Sequence, residues 1–147
     1  MLVKDILRTS VSTIRQEATL REVVTLLSTA CISGLPVLND DGDMVGIITE
    51  HDVIKAILPT YEDILSTDIG LLSPNMLETR FYEVQGTPIS SIMTKNVVIL
   101  EENDSILKAA TTMILKKVKL LPVLKDRKPV GVVNRIDIVQ ALMQCAQ

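Results

Sequence analysis

The heptapeptide Gly46-Ile47-Ile48-Thr49-Glu50-His51-Asp52 recurs near the other end of the chain as Gly131-Val132-Val133-Asn134-Arg135-Ile136-Asp137. Each copy reads as an apolar strand running into a helix, with a polar residue at the junction and an aspartate three places on. A polar cap followed by an acid in the first turn satisfies free backbone amides and complements the helix dipole. On that ground alone the pattern is a pair of helix caps. The same helix start also offers amides to a phosphate, and a carboxylate can accept two hydrogen bonds from the vicinal hydroxyls of a ribose.

Working outward, Leu35-Pro36-Val37-Leu38 is a short apolar strand whose proline suits an edge, where a missing amide is tolerated. Asn39 to Asp43 is dense in turn formers, so this strand and Met44 to Ile48 form a hairpin. Leu121-Pro122-Val123-Leu124 lies 86 positions later (121 less 35), and Ile92 and Val97 match Ile6 and Val11 at the same offset. After the turn the offset is 85 (131 less 46), so the second turn, Lys125 to Lys128, is one residue shorter. Upstream, Val3 to Leu7 reads as a lead-in helix and Val11 to Ile14 as a first strand. Thr19-Leu20-Arg21-Glu22 is a capping box that opens a helix with the stripe Leu20, Val23, Val24, Leu27. Ile106, Ala109, Ala110 and Met113 fill the same stripe in the second copy. Thr49 caps a helix that runs to Leu58 and stops at Pro59.

The chain is therefore a duplicated strand-helix-strand-strand-helix unit. The expected fold class is α+β: two βαββα repeats related by a pseudo-twofold axis and packed through their sheets. Repeat 1 spans 1–58, an insertion with helical turns 59–88, and repeat 2 89–147. Each unit is too small to bury a good core alone, so the two should behave as one module. The insertion holds every aromatic residue, Tyr61, Phe81 and Tyr82. Ile64, Leu65, Ile69, Leu71, Leu72, Met76 and Leu77 suggest helical turns, with a start at Ser73-Pro74. It covers exposed strands, or it serves as a lid or partner contact; its apolar content is too high for a tether.

The 147 residues are 47% hydrophobic and only 2% aromatic, so aliphatic side chains fill the core. A net charge of −3 argues against a duplex-binding footprint, although Lys116, Lys117 and Lys119 form a local basic cluster. Cys31 and Cys145 lack CxxC spacing and the chain has one histidine, which disfavours a zinc site or a disulfide framework and fits a reducing compartment. Lys4 and Asp5 interrupt any signal-like apolar core, and no run approaches a membrane span. The expectation is a cytoplasmic protein with no membrane and no nucleic-acid partner. There is no Gly-rich phosphate loop, serine elbow or paired-histidine helix, so catalysis is not expected, and His51 reads as an exposed helix residue or a phosphate contact.

Leu-Pro-Val before a turn, then Gly-apolar-apolar-polar-x-x-Asp, given twice at matching distances, resembles the cystathionine β-synthase (CBS) domain in its tandem form, the Bateman module. The resemblance covers both repeats. It implies two clefts between the halves for adenosine-containing ligands: AMP, ADP, ATP, S-adenosylmethionine, NAD or a cyclic dinucleotide. It also implies that the motif aspartate takes the ribose diol, the Ser or Thr ahead of it contacts phosphate, and adenine sits against the segment before the Pro-Val strand and the start of the first strand. Carried over, one cleft joins Thr49 and Asp52 to Val97, Lys119, Leu120, Leu121 and Pro122. The other joins Asn134 and Asp137 to Val11, Ser33, Gly34, Leu35 and Pro36. Asn134 departs from the usual Ser or Thr.

Three roles follow as expectations. The first is a ligand-sensing regulatory module that binds an adenine nucleotide between the repeats and biases a dimer mate or a partner in trans. The second is a structural dimerisation or interaction module with no bound nucleotide. The third, nucleic-acid binding, would rest on the lysine cluster. A homodimer is expected from the resemblance and from the surplus of apolar helix face. With Lys119 placed opposite Thr49, the Thr49–Asp52 cleft should be the better one for a phosphate-bearing ligand.

Overall fold

A computed structural model describes residues 1–59, 65 and 73–146 of the chain. The elements follow the duplicated order: β1 (Ile14–Arg15), α1 (Leu20–Ala30), β2 (Gly34–Leu38), β3 (Met44–Thr49) and α2 (Glu50–Ile57). After the insertion helix α3 (Met76–Val84) come α4 (Ile106–Lys116), β4 (Leu120–Lys125), β5 (Lys128–Asn134) and α5 (Arg135–Cys145). The fold is α+β, in two repeats. Thr19 and Glu22 cap α1 reciprocally: the Thr19 amide donates to the Glu22 carboxylate at 2.9 Å and the Glu22 amide to the Thr19 hydroxyl at 3.3 Å.

The first strand is shorter and later than expected. Val11 lies outside it, and β1 is two residues pairing in parallel with Val37 and Leu38 of β2. In the second repeat the counterpart shrinks to a single parallel bridge, Leu100 to Val123. Since β2 lies between β1 and β3, Pro36 is not on an edge strand. It is tolerated because β1 begins pairing only one residue further on, so nothing there asks for its missing N–H. Both hairpins form as anticipated. The shorter second turn places Asp126 and Arg127 at φ 51° and 68°, which gives the two-residue type I′ geometry that matches strand twist.

Each repeat has its own apolar centre, and each centre borrows from the other half of the sequence. Ile89 is fully buried among Leu20, Val23, Leu35, Val37 and Ile48 of the first repeat, with Ile92 and Met93 against them. Val3 is fully buried among Leu100, Met113, Leu121 and Val133 of the second, with Ile6 and Leu7. The same bonds secure both exchanges: the Val3 amide donates to the Asp104 carbonyl and the Ile89 amide to the Ala18 carbonyl, each at 2.8 Å. A third cluster, Ile47, Leu120 and Val132 with Val11 and Val97, joins the two sheets.

Helix α3 packs beside helix α2. Phe81 and Val84 pack against the first repeat's apolar centre, and the Arg21 amide donates to the Gln85 carbonyl at 3.0 Å, so α3 lies across the helices α1 and α2. It begins at Met76, two residues beyond Pro74. Tyr61, Ile64, Ile69, Leu71 and Leu72 lie outside the described residues.

Candidate functional site

Each motif glycine sits where a lead-in segment from the other half crosses the sheet. Thr94 bridges to Ile47 and Arg8 to Val132, with paired backbone bonds of 2.9 to 3.0 Å. A Cβ on Gly46 would stand 2.8 Å from the Thr94 carbonyl oxygen, and one on Gly131 2.7 Å from that of Arg8. The crossings bring Thr94 and Arg8, which occupy matching positions, to the two motif aspartates.

At the first aspartate, Asp52 (8% exposed), one carboxylate oxygen accepts from the Thr49 amide at 2.9 Å and the Thr49 hydroxyl at 3.1 Å. The other accepts from the Thr94 hydroxyl at 2.8 Å. At the second, Asp137, Oδ2 accepts from the Asn134 amide at 2.7 Å. Its Oδ1 accepts from Nε of Arg8 at 2.6 Å, a pair in which the Asp137 side chain is 6% exposed and that of Arg8 53%. The Asn134 side chain makes no capping bond.

A cavity of about 420 Å³ opens beside the start of α5. Five residues expected for the second cleft line it, namely Val11, Ser33, Gly34, Pro36 and Asn134, and so do Lys119 and Leu120, which were expected opposite Thr49. Arg8, Ser10, Ser12, Cys31 and Arg135 also line it. Arg8, Lys119 and Arg135 give it three cations, and no carboxylate is among its described lining residues, in a chain of net charge −3. Asp137 stands behind Arg8 and faces a separate depression of about 600 Å³ with Met1, Asp5 and Gln140. Thr49, Asp52, Val97 and Pro122 line neither cavity. Leu35 and Leu121 have their side chains in the apolar centres, so only their backbone could face a ligand.

Sequence reasoning missed Arg8. The signal was present, since Arg8 lies 86 positions before Thr94 and so at a matching place, but nothing local showed that this place reaches the opposite repeat's aspartate. His51 is exposed on α2. Among the described residues no cluster of His, Cys, Asp or Glu could hold a metal ion, and no helix is long and apolar enough to cross a membrane.

A duplicated α+β unit that exchanges its lead-in segments and sets a capped aspartate beside an inter-repeat cavity defines a class of paired-repeat binding modules. The CBS domain family model matches residues 3–59 and 89–144, and the chain belongs to that family as a tandem pair. It is 33% identical over 145 residues to the CBS domain-containing protein DDB_G0289609 of Dictyostelium discoideum, covering 98% of this chain and 92% of that one. It is also 31% identical over 137 residues to a homoserine O-acetyltransferase of Methanohalobium evestigatum, but there spans only 23% of the relative. Among solved structures, the CBS domain pair of protein MJ0100 in complex with 5′-methylthioadenosine and S-adenosyl-L-methionine superposes with a TM-score of 0.73 at 26% identity, over 100% of this chain and 98% of that one. CBSX2 in complex with AMP gives 0.77 at 20% identity over 99% and 98%, a likeness of fold.

Proposed function

We propose that the protein is a regulatory module that senses an adenosine-containing ligand in the cavity at the start of α5. The observation that carries this reading is the lining: three cations, three serines and the start of α5 in a cavity between the repeats, with no carboxylate among its described lining residues. Helix-start amides and cations both favour a phosphate. AMP, ADP and ATP are therefore ranked ahead of S-adenosylmethionine, which carries no phosphate. Support also comes from MJ0100, whose related pair is a complex with two adenosine compounds. This ranking reverses the one expected from sequence, because Lys119 and Arg8 lie at the Asn134 cavity while Asp52 faces a neutral Thr94 hydroxyl. Ligand binding would favour one arrangement of the repeats and so bias a dimer mate or a partner in trans. The role is binding, not catalysis, in the cytoplasm, where the free and exposed Cys31 and Cys145 fit; neither nucleic acid nor membrane is a proposed partner. A thermal-shift panel of adenosine compounds tests it: a true ligand at ~100 times its dissociation constant stabilises by about 2.7 kcal/mol, and no shift with any compound rejects the reading.

The alternative is a structural dimerisation module with empty clefts. In its favour, both motif aspartates already have in-chain donors. A homodimer suits either reading. Leu107, Ile114 and Leu115 on α4 and Ile136, Val139, Leu142 and Met143 on α5 are 51% to 73% exposed, where repeat 1 has Arg21, Ser28, Thr29 and His51 at the places of Leu107, Ile114, Leu115 and Ile136. Ile57 on α2 is 8% exposed, whereas its counterpart Leu142 is 51% exposed. Seven such side chains approach the ~800 Å² per partner of a standard interface.

A further inference from the structure

We infer that Arg8 sets the ligand specificity of the Asn134 cavity, making it selective for an anionic nucleotide over a neutral nucleoside. The inference rests on the nucleotide reading above and deepens it. Arg8 belongs to the exchanged lead-in segment, and its backbone is held to Val132 on β5. Its side chain does two things at once: it lines the cavity, and through Nε it covers Oδ1 of Asp137 at 2.6 Å. Its terminal guanidinium nitrogens have no protein partner among the described residues. Oδ2 of Asp137 is already committed to the Asn134 amide, and the carboxylate lines the neighbouring depression and not this cavity, so a ribose diol entering from the cavity side would meet Asp137 through Oδ1, and only once Arg8 has moved.

Binding is therefore an exchange. The sugar hydroxyls take Oδ1, and the guanidinium must leave an almost buried carboxylate. A cation released beside Lys119 and Arg135 gains only if the ligand brings its own negative charge. A phosphate compensates the broken ion pair with a charge-assisted bond of the same kind. A neutral nucleoside leaves three like charges facing one another without a counter-ion. The pseudo-equivalent site supplies the control within the same chain: at Asp52 the covering donor is the Thr94 hydroxyl at 2.8 Å, whose displacement strands no charge. The two aspartates are thus covered by different chemistry at one structural position, and only the Arg8 site penalises an uncharged ligand.

The test is calorimetric titration of AMP and of adenosine into the parent protein, Arg8→Thr and Thr94→Arg. Both positions are exposed, so the swaps leave the apolar centres intact. Arg8→Thr should weaken AMP by roughly tenfold, the low end for losing a bond to a charged group, while adenosine binds as well as before or better. Thr94→Arg should confer a preference for AMP at the Asp52 site. Loss of both ligands by the same factor in Arg8→Thr, or of neither, overturns the assignment and makes the ion pair a purely structural contact. No binding of either compound to the parent overturns the nucleotide reading itself and the role of Arg8 with it, an outcome distinct from a proportional loss.

Discussion

A β-carbon on Gly131 would meet the Arg8 carbonyl oxygen at 2.7 Å and the Leu7 side chain closer still. Backbone cannot yield as a flexible side chain does, so Gly131→Ala should push the lead-in segment off β5 and cost about 1–3 kcal/mol, the usual range for overpacking; a denaturant midpoint shifted by less than experimental error would refute this. The two caps should respond unequally to truncation. Thr49→Ala removes a hydroxyl that bonds Asp52 at 3.1 Å and should cost ~1 kcal/mol, typical of an N-cap. Asn134→Ala should cost little, because its side chain makes no capping bond; thermal melts of the pair would show the difference. Asp104 accepts from the Glu101 amide and from Lys108, each at 2.8 Å, and the amide bond first, then the lysine, hold its pKa below the ordinary 3.8. A depressed folded value means stability that is present above the unfolded pKa and lost as pH falls through the folded one. Parent and Asp104→Asn should accordingly differ in stability near neutrality, the difference shrinking only as pH falls below the ordinary aspartate value of 3.8. The motif aspartates were legible at this scale because a cap is a local pattern. Arg8 was not, because its partner lies in the other half of the chain.

At the level of elements, periodicity and turn chemistry placed the helices and hairpins, which are stabilised by neighbours close in sequence. The first strand was overestimated for the opposite reason. Val11 is apolar because it seals the junction between sheets with Ile47 and Val132, not because it pairs, and an apolar residue in sequence does not declare which task it serves. Helix α3 was visible as an apolar stretch, but what it covers depends on tertiary placement. Phe81 packs half-buried against the first repeat's centre, so Phe81→Ala should lose about 1–2 kcal/mol, less than the 3–5 of a fully buried phenylalanine. It should also open α3 to proteolysis. Limited digestion that leaves 73–88 as resistant as in the parent would contradict the docking described here.

Across the whole molecule, the exposed stripe on α4 and α5 is only partly matched on the first repeat, where Ile54 and Leu58 are exposed but Ile57 is buried. If that face joins two copies, Leu115→Glu should convert a dimer into a monomer in light scattering while leaving the melting temperature of the monomer nearly unchanged, since Leu115 is 73% exposed. A parent protein that is monomeric at micromolar concentration would remove the dimer altogether. The duplication itself was legible because it repeats side chains at fixed intervals. The exchange of lead-in segments was hidden, since the same sequence could fold back on its own half or cross to the other. That crossing bears on how the protein comes into being. A ribosome works from one end, and domains generally fold as their last essential residue emerges. The first repeat therefore waits for Ile89, well past its own final helix, while Val3 must remain available until Leu121 and Val133 have been made. The first centre can close once Ile89 to Met93 have been made, whereas the second centre, and the cavity lined from Arg8 to Ile136, is completed only after β5 and the start of α5 have followed.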